Sequence, residues 1–300
     1  MIEIAIFVLF HPQRLTVKAV PGTLLRVNEM TIAGGKAVGL RKVGSEIDWF
    51  AERETRTARV VKFQGDMFVS VPGRIERRYR GALTVTPEVG ELRAVLTLDV
   101  EDAVGAITEA ESPPGARMEA KKAQAVLARS WLLGNRGRHR GYDFCDTTHC
   151  QVLKDPVRSE AAMATRGVVL TYEGKVFAPA YSASCGGRTK TAVEVGWGAE
   201  PYPYFAVDCS VCQRDEKEWE RALPELPGKV GDEGARIALG RKFGWDILPS
   251  NNYVLTGKVA RGKGRGHGVG YCQRGGAGLG EGFDQLLRRY LPNTVVGVGR

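Results

Sequence analysis

The sequence predicts an α+β protein with mixed sheets, several short helices and a β-rich N-terminal region. Three observations carry this. Residues 1 to about 100 break into short β-prone runs between glycine, proline and charged turns. Helical periodicity first becomes clear at Met118. Beyond it, helices and strands follow one another without the regular βαβ alternation of a parallel sheet.

The opening run, 1–10, is apolar, and Ile2, Ile4, Ile6 and Val8 alternate with their neighbours as in a first strand. His11-Pro12 stops it well short of a membrane span. It has neither the basic n-region nor the small-residue cleavage site of a signal peptide. An exported protein would have lost its address, so the chain reads as a mature or trimmed form, with its compartment left open. Further strands are expected at 57–63, 67–71, 82–85 and 92–98. A helix is expected over 118–133, where Ala123, Val126, Leu127, Ser130 and Trp131 recur at helical spacing. Pro113-Pro114-Gly115 keeps the preceding residues out of it, and Gly134-Asn135 ends it. Asp155-Pro156 starts a second helix that stops at Gly167. Runs at 168–172 and 176–181 flank a turn at Glu173-Gly174 and read as a β-hairpin. Residues 213–235 are charged and proline-bearing, as in a surface excursion. Short helices at 235–243 and 283–291 and a strand at 294–298 complete the chain. The expected division is a β-rich region over 1–95 and a second region over 96–300, with 205–250 as an excursion from it.

With 300 residues, 43% of them hydrophobic, the chain can bury a sizeable core. Its net charge is +9, from 43 basic and 34 acidic residues. That favours a polyanionic partner such as nucleic acid, anionic lipid or cell-wall polymer. The aromatic–basic interleaving of a known nucleic-acid module is absent, which argues against the first. No segment is long enough to be a transmembrane helix. Six cysteines include two close pairs, Cys145 with Cys150 and Cys209 with Cys212, and these permit either disulfides or metal ligation.

Four stretches carry candidate chemistry. Glu109 and Glu111 lie in Thr108-Glu109-Ala110-Glu111-Ser112-Pro113, read as a loop before the first helix. On an extended chain they point the same way. Alone they read as an acidic loop tip, although a single-carboxylate mechanism needs only one of them, in an apolar pocket with its pKa raised. His139, Cys145, His149 and Cys150 fall within one loop, and two of the four histidines of the chain are among them. Thiolate and imidazole are the usual zinc ligands, and zinc is preferred over a chance histidine beside a disulfide. Small and hydroxylated residues from Ala178 to Thr189 suggest a polar binding loop, without the Gly-x-Ser-x-Gly of a nucleophile elbow. Gly262-Lys263-Gly264-Arg265-Gly266-His267-Gly268-Val269-Gly270 lacks a phosphate-loop pattern and reads as a glycine-rich loop carrying one histidine into a cleft. Cys209-x-x-Cys212 is open between a structural disulfide and a second metal site.

Taken in order, these stretches resemble the SpoIID/LytB family. The resembling segments are Tyr79-Arg80-Gly81-Ala82-Leu83; Glu111-Ser112-Pro113; the helix from Glu119 through Ser130; Tyr142 through Gln151; Tyr181 through Thr189; and Gly264 through Gly270 with Gln273. The resemblance implies a peptidoglycan lytic transglycosylase that cleaves the bond between N-acetylmuramic acid and N-acetylglucosamine to give 1,6-anhydromuramyl ends. Its implied catalytic acid/base is Glu111. The implied zinc, structural and near the active site, is held by His139, Cys145, His149 and Cys150. The implied substrate-binding residues are Gln124, Arg129, Tyr181, Ser182, Ser184, Arg188, His267 and Gln273. Peptidoglycan glycan strands, with or without stem peptides, are the expected partner in an extracytoplasmic compartment, the periplasm or cell envelope. The alternative implied by the same family is a non-catalytic glycan-binding activator of a cell-wall amidase. Three departures are evident: Ser112 where the family has methionine, Lys121-Lys122 where it has Leu-Lys, and Gly270-Tyr271-Cys272-Gln273 where it has Gly-Met-Ser-Gln.

Overall fold

The computed structural model of the chain describes residues 1–51, 54–147, 150, 159–215 and 217–299. They fall into two compact units. The first is Met1–Ala110 with Asn135–Met163, and the second is Glu111–Gly134 with Ala164–Arg300. The α+β expectation, with its β-rich N-terminal region, holds. No helix among the described residues is long and apolar enough to cross a membrane.

The first unit is built on one sheet. Its strands are β1 (Ile2–Ile6), β2 (Arg14–Ala19), β3 (Leu24–Val27), β4 (Met30–Ala33), β5 (Ala37–Val43), β6 (Glu46–Ala51), β7 (Glu54–Ala58), β8 (Val61–Val71), β9 (Ile75–Glu88), β10 (Glu91–Leu98) and β11 (Phe144–Cys145). The order is β11-β1-β10-β9-β8-β2-β5-β6-β7, with β3 pairing to β8 and β4 to β3. All neighbours are antiparallel except β1 and β11, which run parallel with Ala5 opposite Cys145. Alternation sets the register. Leu15, Val17 and Ala19 of β2, and Leu92, Ala94, Leu96 and Leu98 of β10, are all buried. A one-residue slip would turn each set to the opposite face. The expected strand at 57–63 is instead interrupted at Arg59-Val60, between the end of β7 and the start of β8. The runs at 67–71 and 82–85 are parts of the longer β8 and β9.

Helix α1, Val100–Glu111, is the main element absent from the sequence reading. Asp99 opens it by accepting from the Glu101 N–H at 2.9 Å, and Val104 and Ile107 are fully buried. Glu109 and Glu111 are therefore in the last turn of a helix, not on an extended loop. Two residues on a helix are turned by about 200° from one another, so the two side chains leave on opposite sides.

In the second unit, helix α2 (Met118–Gly134) is buried nearly all round. Ala120, Ala123, Ala125 and Ala128 keep it thin enough for close packing. Ser130 accepts from the Leu170 N–H at 2.8 Å. Short helix α3 (Glu160–Ala164) crosses the division between the units, and the expected cap at Asp155-Pro156 lies outside the described residues. The strands that follow are β12 (Val168–Tyr172), β13 (Lys175–Val176) and β14 (Tyr181–Ser182). The expected hairpin exists but is short, with Thr171 opposite Val176 and Tyr172 opposite Lys175. Pro179 has no N–H to extend that ladder. Beyond it the chain pairs elsewhere.

Next come α4 (Ser210–Asp215), β15 (Glu218–Ala222), α5 (Glu233–Phe243), β16 (Tyr253–Thr256) and β17 (Val259–Lys263). Then follow β18 (Tyr271–Cys272), α6 (Gln273–Gly278), α7 (Phe283–Tyr290) and β19 (Val295–Val298). The sheets are β13-β12-β19, the parallel pair β14-β18, and β15-β17-β16. The last, with α5, buries its own small core of Leu223, Leu239, Leu248, Tyr253 and Ala260. Much of the stretch read as a surface excursion is thus folded chain.

Candidate functional site

Glu111 ends α1 and is partly buried. The hydroxyl of Ser112, immediately after it, is buried without a hydrogen-bond partner among the described residues. Glu109 accepts a hydrogen bond from Ser159 Oγ at 2.8 Å. That contact ties one carboxylate to the protein on its own face of the helix.

The histidine–cysteine loop is anchored to β1 by two aspartates. Asp143 Oδ2 accepts from the Glu3 N–H at 3.0 Å, and Asp146 Oδ2 accepts from the Phe7 N–H at 2.8 Å. Burial raises the Asp146 pKa, opposed by the hydrogen bond from Phe7, by Arg77 and by the Val8 N–H. These anchors place Cys145 in β11, and the Cys150 N–H donates to the Thr147 carbonyl at 3.0 Å. His139 Nε2 lies 3.1 Å from Cys150 Sγ, with its ring stacked on Tyr142 at 4.7 Å. The donor atoms of His139, Cys145 and Cys150 all lie within 4.8 Å of one another. Three soft donors that close together suit a zinc ion. His149, expected as the fourth ligand, lies outside the described residues.

The expected binding residues fall into two groups. Strands β14 and β18 run parallel, with Tyr181 opposite Tyr271 and Ser182 opposite Cys272. This brings Gln273, the next residue, to Gln124 of α2, and its Nε2 donates to Gln124 Oε1 at 3.2 Å. The Gln124 Nε2 and the Ser182 Oγ are buried with no hydrogen-bond partner among the described residues. Leaving such a group unmet costs about 1–3 kcal/mol. Ser184 is buried with its Oγ 3.4 Å from Cys212 Sγ. Tyr181 is partly buried.

The other group is placed differently. Arg129 is 1% exposed and donates to the Val168 carbonyl at 2.9 Å, so it tethers α2 to β12 instead of reaching solvent. Arg188 is exposed and pairs with Glu194 at 3.1 Å. His267 is held by two backbone hydrogen bonds. Nδ1 accepts from the Val269 N–H at 3.0 Å, and the ring also bonds the Tyr181 backbone. Its ring lies 5.0 Å from that of Trp197, which sequence reasoning did not single out. Burial lowers its pKa to about 4, countered by Glu233. The imidazole is therefore neutral at pH 7 and acts as a brace between the glycine loop and β14.

The glycine loop itself is not a flexible tether. Gly264, Gly266, Gly268 and Gly270 all have positive φ, between 71° and 95°. At Gly264 a Cβ would lie 2.7 Å from the Ser184 carbonyl, and at Gly270 it would overlap the Ala180 carbonyl. Alternating glycines let this segment wind closely along residues 180–190, with bridges between Ser184 and Arg265 and between Lys190 and Val269. A cavity of about 730 Å³ in the first unit, lined by Trp49, Arg56, Lys62 and others, includes Ala82 and Leu83 of a family-resembling segment but none of the candidate catalytic, metal or substrate-binding residues.

Comparison with known proteins bears on the same stretch. Residues 88–172 match the SpoIID family, described as stage II sporulation protein. An uncharacterized protein of Brachyspira hyodysenteriae (strain ATCC 49526 / WA1) is 28% identical over 259 residues, 71% of this chain and 70% of that protein. The amidase enhancer of Bacillus subtilis (strain 168) is 35% identical over 96 residues, 31% of this chain but 13% of its own length. The family match spans α1 with Glu111, α2 and the histidine–cysteine loop.

Proposed function

From its SpoIID-family segment we propose that this chain works on the bacterial cell wall, as a lytic transglycosylase of peptidoglycan glycan strands with Glu111 as its acid/base. The observation that carries the reading is the set of buried polar atoms in the second unit. Ser182 Oγ, Gln124 Nε2 and Ser112 Oγ have no partner among the described residues, and Gln273 donates to Gln124. Hydroxyl and acetamido groups of an amino-sugar strand are chemically suited to such atoms. Glu111 lies at the carbonyl end of α1, the negative pole of the helix, which favours a neutral acid.

In the proposed reaction the neutral Glu111 gives its proton to the glycosidic oxygen as the bond to muramyl C1 breaks. The resulting carboxylate takes the proton of the muramyl C6 hydroxyl, whose oxygen bonds to C1 and closes the 1,6-anhydro ring. The nucleophile belongs to the substrate, so one carboxylate suffices, unlike the usual glycosidase pair. The opposite orientation of Glu109 accords with that. Zinc held by His139, Cys145 and Cys150, with His149 as the expected fourth ligand, would be a closed structural ion that fixes its loop. An extracytoplasmic location follows from this substrate.

The similarity to the amidase enhancer supports a second reading, a glycan-binding activator of a cell-wall amidase. Mass spectrometry of digested glycan strands, both intact and stripped of stem peptides, separates the two. The enzyme should release 1,6-anhydromuramyl ends with no oxygen from labelled water. Labelled reducing ends would make it a hydrolase. Binding without cleavage, with faster cleavage by an added amidase, would establish the activator.

A further inference from the structure

The second unit holds a cluster that the proposed chemistry does not use. Cys185 follows β14, Cys209 precedes α4, Cys212 lies within α4, and Cys272 ends β18. All four are at most 1% exposed, and none is in a disulfide. Their sulfurs all lie within 4.8 Å of one another, and those of Cys212 and Cys272 are 3.6 Å apart.

We propose that Cys185, Cys209, Cys212 and Cys272 are a tetrathiolate site for a single zinc ion, which locks together the segments carrying Ser182, Ser184 and Gln273. Spacing is the first argument. Sulfurs about 2.3 Å from a tetrahedral zinc stand about 3.8 Å from each other. The Cys212–Cys272 separation matches that edge. A disulfide would bring two sulfurs to about 2.05 Å. An iron–sulfur cluster needs room inside its ligand shell, and sulfurs this close leave room for one ion. Composition is the second argument. Four cysteines on three segments, including Cys209-x-x-Cys212, are the donor set of a closed structural site.

Hydrogen bonding is the third. Four thiolates around one divalent ion leave a net charge of −2 that donors must offset. The N–H groups of Cys185 and Gly275 point at Cys272 Sγ at 3.4 and 3.3 Å. The hydroxyls of Ser184 and Tyr290 lie 3.4 Å from Cys212 Sγ and 3.1 Å from Cys209 Sγ. At Gly275 a Cβ would sit 2.7 Å from Cys209 Sγ, so the cluster also requires a glycine beside it. Every donor belongs to the second unit, whereas His139, Cys145 and Cys150 belong to the first. The two sites are separate and separately removable.

The test uses the full chain purified without chelator. In a His139→Ala/Cys145→Ser background, elemental analysis should still find about one zinc per chain, and X-ray absorption should show four sulfurs at about 2.3 Å. Adding Cys212→Ser and Cys272→Ser should remove that zinc. A background protein without zinc, with iron in its place, or with nitrogen in the zinc shell overturns the proposal. The unaltered chain supplies a second readout that requires no variant to fold. Its zinc should average about three sulfurs per ion if both sites fill, and about four if only this one does. An average of two, or a disulfide between any of these cysteines in a non-reducing peptide map, overturns it. None of these readouts depends on glycan cleavage, so they stand apart from the proposed activity.

Discussion

His267 offers a direct test of how the glycine loop is held. Burial lowers its pKa from 6.5 to about 4, Glu233 opposes this, and Arg236 adds to it. The fall of about 2.5 units, at 1.36 kcal/mol per unit, corresponds to about 3 kcal/mol. Between pH 6.5 and 4 the unfolded chain holds the proton and the folded chain does not. Stability from this group is therefore complete above about pH 6.5 and lost as the pH falls toward 4. Two measurements check it. With only four histidines, an NMR titration of ring protons, assigned by comparison with His267→Asn, should show the His267 imidazole staying neutral down to about pH 4. Urea unfolding of the native chain and of His267→Asn at pH 7 and pH 4 should show the native chain losing about 3 kcal/mol more than the variant. Acid also weakens metal–thiolate bonds in both proteins, so the difference between them is the informative quantity. Titration of His267 near 6.5, or equal acid losses in both proteins, would refute the braced, partly buried imidazole.

Other expectations follow from the same geometry. Glu111→Gln should lower glycan cleavage by about 10²–10⁴-fold while leaving folding intact, and Glu109→Gln should be mild; a dead Glu109→Gln beside an active Glu111→Gln would reverse the assignment. Cys145→Ser should lower zinc content by about one ion per chain and reduce the melting temperature, because ligand binding is also folding energy. A zinc-free native chain with a Cys145–Cys150 disulfide would defeat that reading. Gly270→Ala should cost about 2–4 kcal/mol in denaturant unfolding, since a Cβ there meets the Ala180 carbonyl in a left-handed backbone. An unchanged midpoint would show that the loop can move away.

What the sequence disclosed depended on whether the interaction was local. Helix α2 was legible because its apolar residues recur at helical spacing between proline and glycine boundaries. The N-terminal strands were legible from alternation and turns, but their lengths were not, since the polar residues of β9 lie on its exposed face. Helix α1 was hidden by Gly105 and Thr108 inside it and by an acidic end that looks like loop. The pairing of β14 with β18, and of β1 with β11, joins segments distant in sequence, and no local periodicity encodes it. The same holds for the cysteines. Cys209-x-x-Cys212 was visible as a pair, but that Cys185 and Cys272 complete it was not. Arg129 is a different case: the family resemblance implied a ligand contact, and in the fold it is 1% exposed and donates to the Val168 carbonyl.

The interleaved make-up of the first unit bears on how the chain is made and how it can be cut. Strand β1 is synthesised well before its parallel partner β11, which includes Cys145. Between them lies the whole of α2, which belongs to the other unit. The first unit therefore cannot close while its N-terminal sheet alone has emerged from the ribosome, and the edge of β1 must wait about 7–30 s at ordinary elongation rates. During that interval an apolar strand edge is open to pairing with other chains. Truncation after residue 110 should make the exposed edge permanent and yield an aggregating fragment. Rejoining residues 135–163 through a short linker in place of α2 should restore a soluble one.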